Sequence, residues 1–175
     1  MNNLILIGFM GCGKSCIGRK LSYRLQRTMI DTDKQIEKQQ GMPISDIFQK
    51  HGEQAFRNME TEYLKELMEN CNNQIISSGG GLPLREENRE LLKELGCVIY
   101  LQVSADTVYE RLKNDMTRPL LQGNNPKERI AELLESRTAI YEQTADIMID
   151  VNDKKYDEIL DEIQEAVNVY ENSCN

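Results

Sequence analysis

Short apolar runs alternate with longer segments of helical periodicity along the chain. Between the runs, apolar residues recur every three or four positions, which is the spacing of one helix face. Strands that alternate with helices in this way are typical of a parallel sheet with helices on both faces. The predicted strands cover residues 4–8, 29–31, 74–78, 98–103 and 147–151.

Residues with special backbone preferences mark the ends of the predicted helices. The first helix carries an apolar face at Ile17, Leu21 and Leu25, and the last is predicted over residues 156–170. Glycine is favoured at C-terminal helix ends, serine at N-terminal caps and proline in the first turn. The expected ends are Gly41, Gly52 and Gly96, the expected cap is Ser104, and the expected first-turn proline is Pro126.

One polar segment interrupts this alternation near residue 120. Residues 113–126 read KNDMTRPLLQGNNP, with two prolines and several turn-forming residues. Long irregular segments inside a compact domain are usually lids or binding loops. We therefore predict a lid at about residues 113–125.

Composition and charge limit the classes of partner. The 175 residues, 39% of them apolar, are enough for one compact domain over residues 1–175, and size alone predicts a monomer. A formal net charge of −8 argues against general binding to nucleic acid or to an anionic membrane. An anionic ligand must therefore meet a local cluster of positive charge.

Five cysteines without a CxxC pair predict neither a disulfide framework nor a zinc site. A reducing compartment, the cytoplasm, fits this usage best. The apolar run at residues 4–8 is too short for a signal peptide or a membrane span. We interpret this run as a buried strand.

The sequence GFMGCGKS at residues 8–15 matches the phosphate-binding pattern GxxxxGK(S/T), here called the P-loop. It follows an apolar strand and opens an amphipathic helix, which is the context the pattern requires. Backbone N–H groups of such a loop surround phosphate oxygens, the lysine bridges the β- and γ-phosphates, and the serine ligates Mg²⁺. We predict that ATP contacts Gly11, Cys12, Gly13, Lys14, Ser15 and Cys16. The two cysteines are either small packing residues or thiols open to redox control.

Two carboxylates follow the second strand, at Asp31 and Asp33. If the backbone stays extended, both side chains point to the same side, toward the phosphates. Asp31 is the candidate Mg²⁺ ligand beside Ser15, and Asp33 is the candidate that orients or deprotonates an acceptor hydroxyl. Alternatively, Asp33 is only the N-cap of a helix over residues 34–40.

Further short motifs follow the P-loop in a fixed order. They are DTD at 31–33, FRNME at 56–60, GGG at 79–81 and RPLL at 118–121, with ISDIF at 44–48 and Arg137 ahead of Tyr141 and Ala145. Together they resemble the shikimate kinase family over nearly the whole chain. The resemblance implies a P-loop fold of the nucleoside monophosphate kinase type, with a five-stranded parallel sheet. It also implies transfer of the γ-phosphoryl group of ATP to the 3-hydroxyl of shikimate in aromatic amino-acid biosynthesis, with Mg²⁺ as cofactor.

The same resemblance implies roles for individual residues. Lys14, Asp33 and Arg118 are implied to be catalytic, and the segment at about 33–62 is implied to bind the acceptor. The implied shikimate contacts are Asp33, Arg57, Gly79, Gly80, Gly81 and Arg137, with the two arginines on the carboxylate. An arginine fork suits a carboxylate because it pairs bidentately.

Alternatives remain for several of these residues. Arg57 can equally be a surface charge beside Glu53 or Glu60, and Glu60 can hold its guanidinium in place. Arg118 is expected to reach the phosphates when the lid closes. Arg111 is a second candidate for that contact, although it can simply favour a helix end. Lys154 is the candidate at the adenine end, where the proline that the family often has is missing.

Two other functions compete with this interpretation. One is a small-metabolite kinase of the same architecture with another acceptor, of gluconate or nucleotide type. The other is an ATP-binding switch protein that acts through a partner. Arg57, Arg137 and Asp33 favour a carboxylated polyol over a nucleobase, and they would have no role in a switch protein.

Overall fold

A computed structural model describes residues 3–114 and 125–173 of the chain. Five strands form one parallel sheet in the order β2-β3-β1-β4-β5, which confirms the predicted fold class. Each strand lies within two residues of its predicted bounds. The strands are β1 (Asn3–Ile7), β2 (Met29–Asp31), β3 (Ile75–Ser77), β4 (Gly96–Gln102) and β5 (Ile147–Asp150).

Helices cover both faces of the sheet. The crossover from β1 to β2 and the crossover from β3 to β4 run in opposite directions along the sheet. Right-handed crossovers of opposite direction place their helices on opposite faces. The helices are α1 (Lys14–Leu25), α2 (Thr32–Gln40), α3 (Ile44–Asn70), α4 (Glu86–Leu95), α5 (Ala105–Leu112), α6 (Pro126–Thr144) and α7 (Tyr156–Ser173).

The central strand β1 is the core of the fold. All five of its residues are buried, and it pairs with β3 on one side and β4 on the other. The polar residue Asn3 at its start is held by the backbone around it. Its side-chain amide donates to the carbonyl oxygens of Leu95 and Cys71, and its oxygen accepts from the Gln74 N–H at 3.0 Å. These bonds fix β1 against the segments that precede β3 and β4.

Most predicted helix ends are confirmed. Ser104 caps α5 by accepting a hydrogen bond from the Thr107 N–H, and Pro126 lies in the first turn of α6. Gly41 ends α2 in the left-handed region, with a φ of 65°. Gly52 interrupts the range Ile44–Asn70 with non-helical backbone, at a φ of 80° and a ψ of 167°, so one helical segment ends there and another follows.

The predicted cap of α2 was assigned to the wrong aspartate. The helix begins at Thr32, so the N-cap is Asp31, whose carboxylate accepts from the Lys34 N–H at 3.3 Å. Asp33 lies inside the first helical turn, and the extended backbone expected across the pair is absent there. Asp33 is therefore free of the capping role.

The long helix α7 confirms the packing role predicted for the end of the chain. Ile159, Ile163 and Val167 are buried at helical spacing, while the intervening acidic residues face solvent. Within the described residues, no helix combines the length and the apolar character needed to cross a membrane. The predicted lid falls almost entirely outside the described residues.

Candidate active site

The loops that follow β1, β2 and β3 meet at one edge of the sheet because these strands are parallel neighbours. They surround a cavity of about 720 Å³. The predicted site residues that line it are Gly11, Cys12, Gly13, Lys14, Ser15, Cys16, Asp31, Asp33, Gly80 and Lys154. The predicted phosphate residues and the acidic pair therefore share one cavity.

The P-loop wraps the ammonium group of Lys14. The Lys14 Nζ donates to the carbonyl oxygens of Gly8 at 2.7 Å and Phe9 at 3.1 Å, and it lies 3.6 Å from the Cys12 sulfur. Helix α1 begins at Lys14, so the N–H groups of its first turn point into the cavity. A helix N-terminus with a half-buried lysine beside it is an arrangement that attracts phosphate.

Arg111 links the P-loop to the residue that follows β5. One guanidinium nitrogen donates to the carbonyl oxygens of Gly11 and Cys12, at 3.1 and 3.2 Å. The other donates to the Val151 carbonyl oxygen at 3.0 Å, just after β5. Sequence reasoning offered a helix end or a phosphate contact for Arg111 and missed this clamp, because backbone acceptors leave no pattern in the sequence.

Ser15 and Asp31 are suitably placed for a magnesium ion. The Ser15 hydroxyl donates to Asp31 Oδ2 at 2.9 Å, and both side chains line the cavity. Hydroxyl and carboxylate oxygens are ligands that Mg²⁺ accepts, with phosphate oxygens and water completing its coordination. The donor set therefore fits the predicted ion.

Asp33 and Glu60 bring two carboxylates to the glycine loop after β3. A β carbon at Gly79 would lie 2.5 Å from Asp33 Oδ1 and 2.9 Å from Glu60 Oε1. Among the described residues, neither of these two buried oxygens has a hydrogen-bond partner. The loop is anchored beside them by the Gly79 N–H, which donates to the Thr32 hydroxyl at 3.0 Å.

Arg57 is held by two glutamates. Its guanidinium pairs with Glu60 at 2.7 Å and with Glu53 at 3.0 Å, as the helical spacing predicts. The Arg57 side chain is only 16% exposed, so it is not a plain surface charge. A β carbon at Gly81 would collide with this guanidinium. Bare backbone at residues 79 and 81 therefore lets the charged groups approach the loop.

Burial shifts the acid–base behaviour of this cluster. It raises the pKa of Glu60 to about 7 and outweighs the opposing effect of Arg57, while Asp33 raises that pKa further. The pKa of Asp33 is also raised, first by burial and then by the charge of Asp31, against the lowering effect of Lys14. Arg57 lowers the pKa of Asp33 as well, so Asp33 interacts with positive groups on both sides.

Arg137 lies beside the P-loop on helix α6. Its guanidinium carbon is 5.8 Å from the centroid of the Phe9 ring. Four of the predicted shikimate contacts are not among the residues that line the cavity: Gly79, Gly81, Arg57 and Arg137. Arg118 lies outside the described residues, so its predicted contact with the phosphates stays a prediction.

The far end of the cavity contains Lys154, Tyr156 and Ile159. Lys154 pairs with Glu162 at 2.7 Å, and the Tyr156 ring has the Lys20 ammonium 4.9 Å from its centroid. A flat aromatic ring and an aliphatic side chain can contact a nucleobase through their apolar surfaces. Sequence reasoning proposed Lys154 here and missed Tyr156.

The P-loop cysteines differ in accessibility. Cys12 is fully buried, and Cys16 is exposed in the first turn of α1. Burial of Cys12 favours the interpretation that it is a small packing residue.

A buried polar network supports the glycine loop from behind. The Asn88 amide donates to the Leu82 carbonyl oxygen at 2.9 Å, and its oxygen accepts from the Thr61 hydroxyl at 2.8 Å. Arg85 donates to the same hydroxyl at 3.1 Å. These residues were not predicted, although an asparagine and a threonine on the buried faces of two helices are a recognisable signal for such a network.

The chain is similar to known proteins over nearly its whole length. A family model described as shikimate kinase matches residues 10–168. A shikimate kinase of Thermodesulfovibrio yellowstonii is 44% identical over 163 residues, which is 93% of this chain and 93% of that protein. The structure of a shikimate kinase from Acinetobacter baumannii in complex with shikimate matches with a TM-score of 0.90 and 35% identity, over 97% of this chain and 94% of that one. A gluconokinase from Sinorhizobium meliloti shares the fold, with a TM-score of 0.56 at 16% identity over 98% and 97% of the two chains.

The raised pKa of Glu60 predicts a pH-dependent stability. The ordinary value is 4.5 and the value in the folded protein is about 7, so the folded state binds this proton more tightly than the unfolded chain. The Glu60 contribution to the free energy of unfolding is therefore greatest below about pH 4.5 and falls as the pH rises through about 7. Replacing Glu60 by Gln removes this pH-dependent contribution to the free energy of unfolding.

We expect the stability of Glu60→Gln, relative to the unsubstituted chain, to improve steadily from about pH 5 to about pH 8. Urea unfolding at several pH values measures this difference. The matched control is Glu62→Gln, which removes the same charge from a side chain that is 69% exposed. An equal pH trend in the two variants would contradict the assignment to Glu60.

Proposed function

The chain belongs to the shikimate kinase family, and we propose that it transfers the γ-phosphoryl group of ATP to the 3-hydroxyl of shikimate, giving shikimate 3-phosphate and ADP. One observation carries this proposal. Asp33 lies in the P-loop cavity and interacts electrostatically with Lys14 and with Arg57. Asp33 therefore lies between the phosphate side of the site, at Lys14, and the proposed acceptor side, at Arg57.

The nucleotide side, which comprises the P-loop and Lys14, is suited to binding a polyphosphate. We assign the β- and γ-phosphates to the P-loop backbone and Lys14, and the nucleobase to the end with Lys154 and Tyr156. Ser15 and Asp31 hold Mg²⁺. When bound, this ion offsets negative charge on the phosphate oxygens.

The acceptor side is suited to a small carboxylated polyol. Arg57 and Arg137 supply planar guanidinium groups for the carboxylate. The Asp33 carboxylate, which lines the cavity, accepts a hydrogen bond from a ring hydroxyl, and Gly80 lets the ligand approach the backbone. A nucleobase acceptor would find few apolar surfaces among these charged groups.

In phosphoryl transfer, the main contribution of the protein is to position the reacting groups. The transition state of phosphoryl transfer is largely dissociative, so the attacking hydroxyl needs alignment more than it needs a strong base. The Asp33 carboxylate aligns that hydroxyl and accepts its proton as the new P–O bond forms. Lys14 stabilises charge on the phosphate oxygens at the same time.

The direct test is the acceptor dependence of ADP release. We expect ADP production with ATP and Mg²⁺ to rise when shikimate is added and to stay at background with gluconate, with nucleoside monophosphates or with no acceptor. A rise with gluconate or a nucleotide instead would contradict the proposed acceptor. Acceptor-independent hydrolysis alone would favour a switch protein.

Replacing Asp33 by Asn keeps the shape of the side chain and removes its charge. We expect kcat to fall by at least about a hundredfold, because alignment and proton acceptance are lost at the reacting hydroxyl. Steady-state kinetics measures this loss. The control Asp157→Asn removes a charge from a side chain that is 89% exposed on α7. A folded Asp33→Asn protein with near-normal kcat would exclude the role given to Asp33.

Replacing Arg57 by Lys keeps the charge and removes the bidentate fork. We expect the KM for shikimate to rise by about tenfold or more while the KM for ATP stays unchanged. The matched control is Arg19→Lys, an exposed site on α1. An unchanged KM for shikimate in Arg57→Lys would rule out carboxylate binding by this residue.

A further inference from the structure

Tyr141 connects two acceptor-site residues that are distant in the sequence. Its side chain is fully buried, and its hydroxyl donates a 2.6 Å hydrogen bond to the Gly80 carbonyl oxygen. The Arg137 side chain, one turn earlier in α6, interacts with the same hydroxyl and lowers its pKa, against the larger raising effect of burial. Tyr141 therefore contacts the Gly80 backbone directly and interacts with the Arg137 guanidinium.

Gly80 in turn lies against the P-loop. A β carbon at this position would be 3.5 Å from the Gly8 carbonyl oxygen and 3.6 Å from the Met10 amide nitrogen. The Gly8 carbonyl is also the acceptor of the 2.7 Å bond from Lys14. The Tyr141 hydroxyl thus holds the Gly80 backbone at the point where the glycine loop contacts the P-loop.

The ring of Tyr141 is fixed independently of its hydroxyl. It packs against Tyr100, with ring centroids 5.2 Å apart and an angle of 31° between the planes. Burial raises the pKa of Tyr141 to about 12. The hydroxyl therefore keeps its proton and donates to Gly80 throughout the neutral range.

We propose that Tyr141 is a positioning residue for the acceptor, whose hydroxyl orients the Arg137 guanidinium and sets the place of the Gly80 backbone beside the P-loop. This inference rests on the proposed function, because it takes Arg137 and Gly80 as shikimate contacts. Tyr141 itself touches neither substrate. It acts by keeping a group on α6 and a group on the glycine loop in one fixed arrangement.

The test is Tyr141→Phe, which removes the hydroxyl and retains the ring. We expect the KM for shikimate to rise about tenfold, because the half-buried Gly80 carbonyl loses its hydrogen-bond donor and Arg137 loses a neighbouring hydroxyl. The KM for ATP stays within about twofold and kcat falls by less than about threefold, since the P-loop contacts and Asp33 remain. Steady-state kinetics with each substrate varied separately gives these values.

Tyr100→Phe is the matched control. Tyr100 on β4 is buried beside Tyr141, and its hydroxyl interacts with Thr138 of α6. Loss of that hydroxyl should leave the KM for shikimate within about twofold of the unsubstituted value, since its side-chain interaction is with Thr138 and not with the proposed shikimate residues. An equal rise in KM for both variants, or no rise in Tyr141→Phe, would overturn the proposal.

A double-variant cycle tests the path through Arg137. If Tyr141 acts partly by orienting Arg137, then Tyr141→Phe raises the KM for shikimate by a smaller factor in a chain that already carries Arg137→Ala. Fully independent effects on the KM for shikimate would contradict that link. Thermal unfolding of every variant, compared with the Tyr100→Phe control, separates a change at the site from a general loss of stability.

Failure of this inference is distinguishable from failure of the proposed function. If the unsubstituted chain does not phosphorylate shikimate, both are contradicted. If it does so and Tyr141→Phe has an unchanged KM for shikimate, only the role of Tyr141 is contradicted.

Discussion

The charged cluster on the proposed acceptor side of the site depends on the absence of side chains at Gly79 and Gly81. Any β carbon at these positions would displace the Asp33 and Glu60 carboxylates or the Arg57 guanidinium. Bare backbone lets these charges lie close together in a partly buried place, where each interaction is stronger than it would be in water. Thr32 fixes the loop from one side and the Asn88 network supports it from the other. The charged cluster and its supports therefore form one unit around the loop.

Much of this arrangement follows from patterns that are local in the sequence. The P-loop is recognisable because its glycines, Lys14 and Ser15 stand in a row, and the strand before it is a short apolar run. The Glu60 contact with Arg57 follows from helical spacing alone. Convergence of the loops after β1, β2 and β3 follows from a general property of parallel sheets. These inferences need no knowledge of which residues pack together.

Other features depend on tertiary contacts and leave no such pattern. Asp31 rather than Asp33 caps α2, because the helix begins at Thr32, two residues earlier than predicted. Arg111 binds backbone carbonyls, and a carbonyl is available at every position of a sequence. Tyr141 has a helical neighbour in Arg137, but its second partner, Gly80, is 61 positions away. Only the folded chain brings such groups together.

The place of β1 in the centre of the sheet also affects how the protein is made. The amide of Gln74, which bonds the Asn3 side chain, comes 71 positions later, and the Leu95 carbonyl comes 92 positions later. At roughly 5 to 20 residues per second, a ribosome needs several seconds to deliver these partners. Throughout that interval an apolar strand with two unpaired edges is open to association with other chains. A strand that is fully buried in the finished protein is thus open to aggregation while the chain is being synthesised.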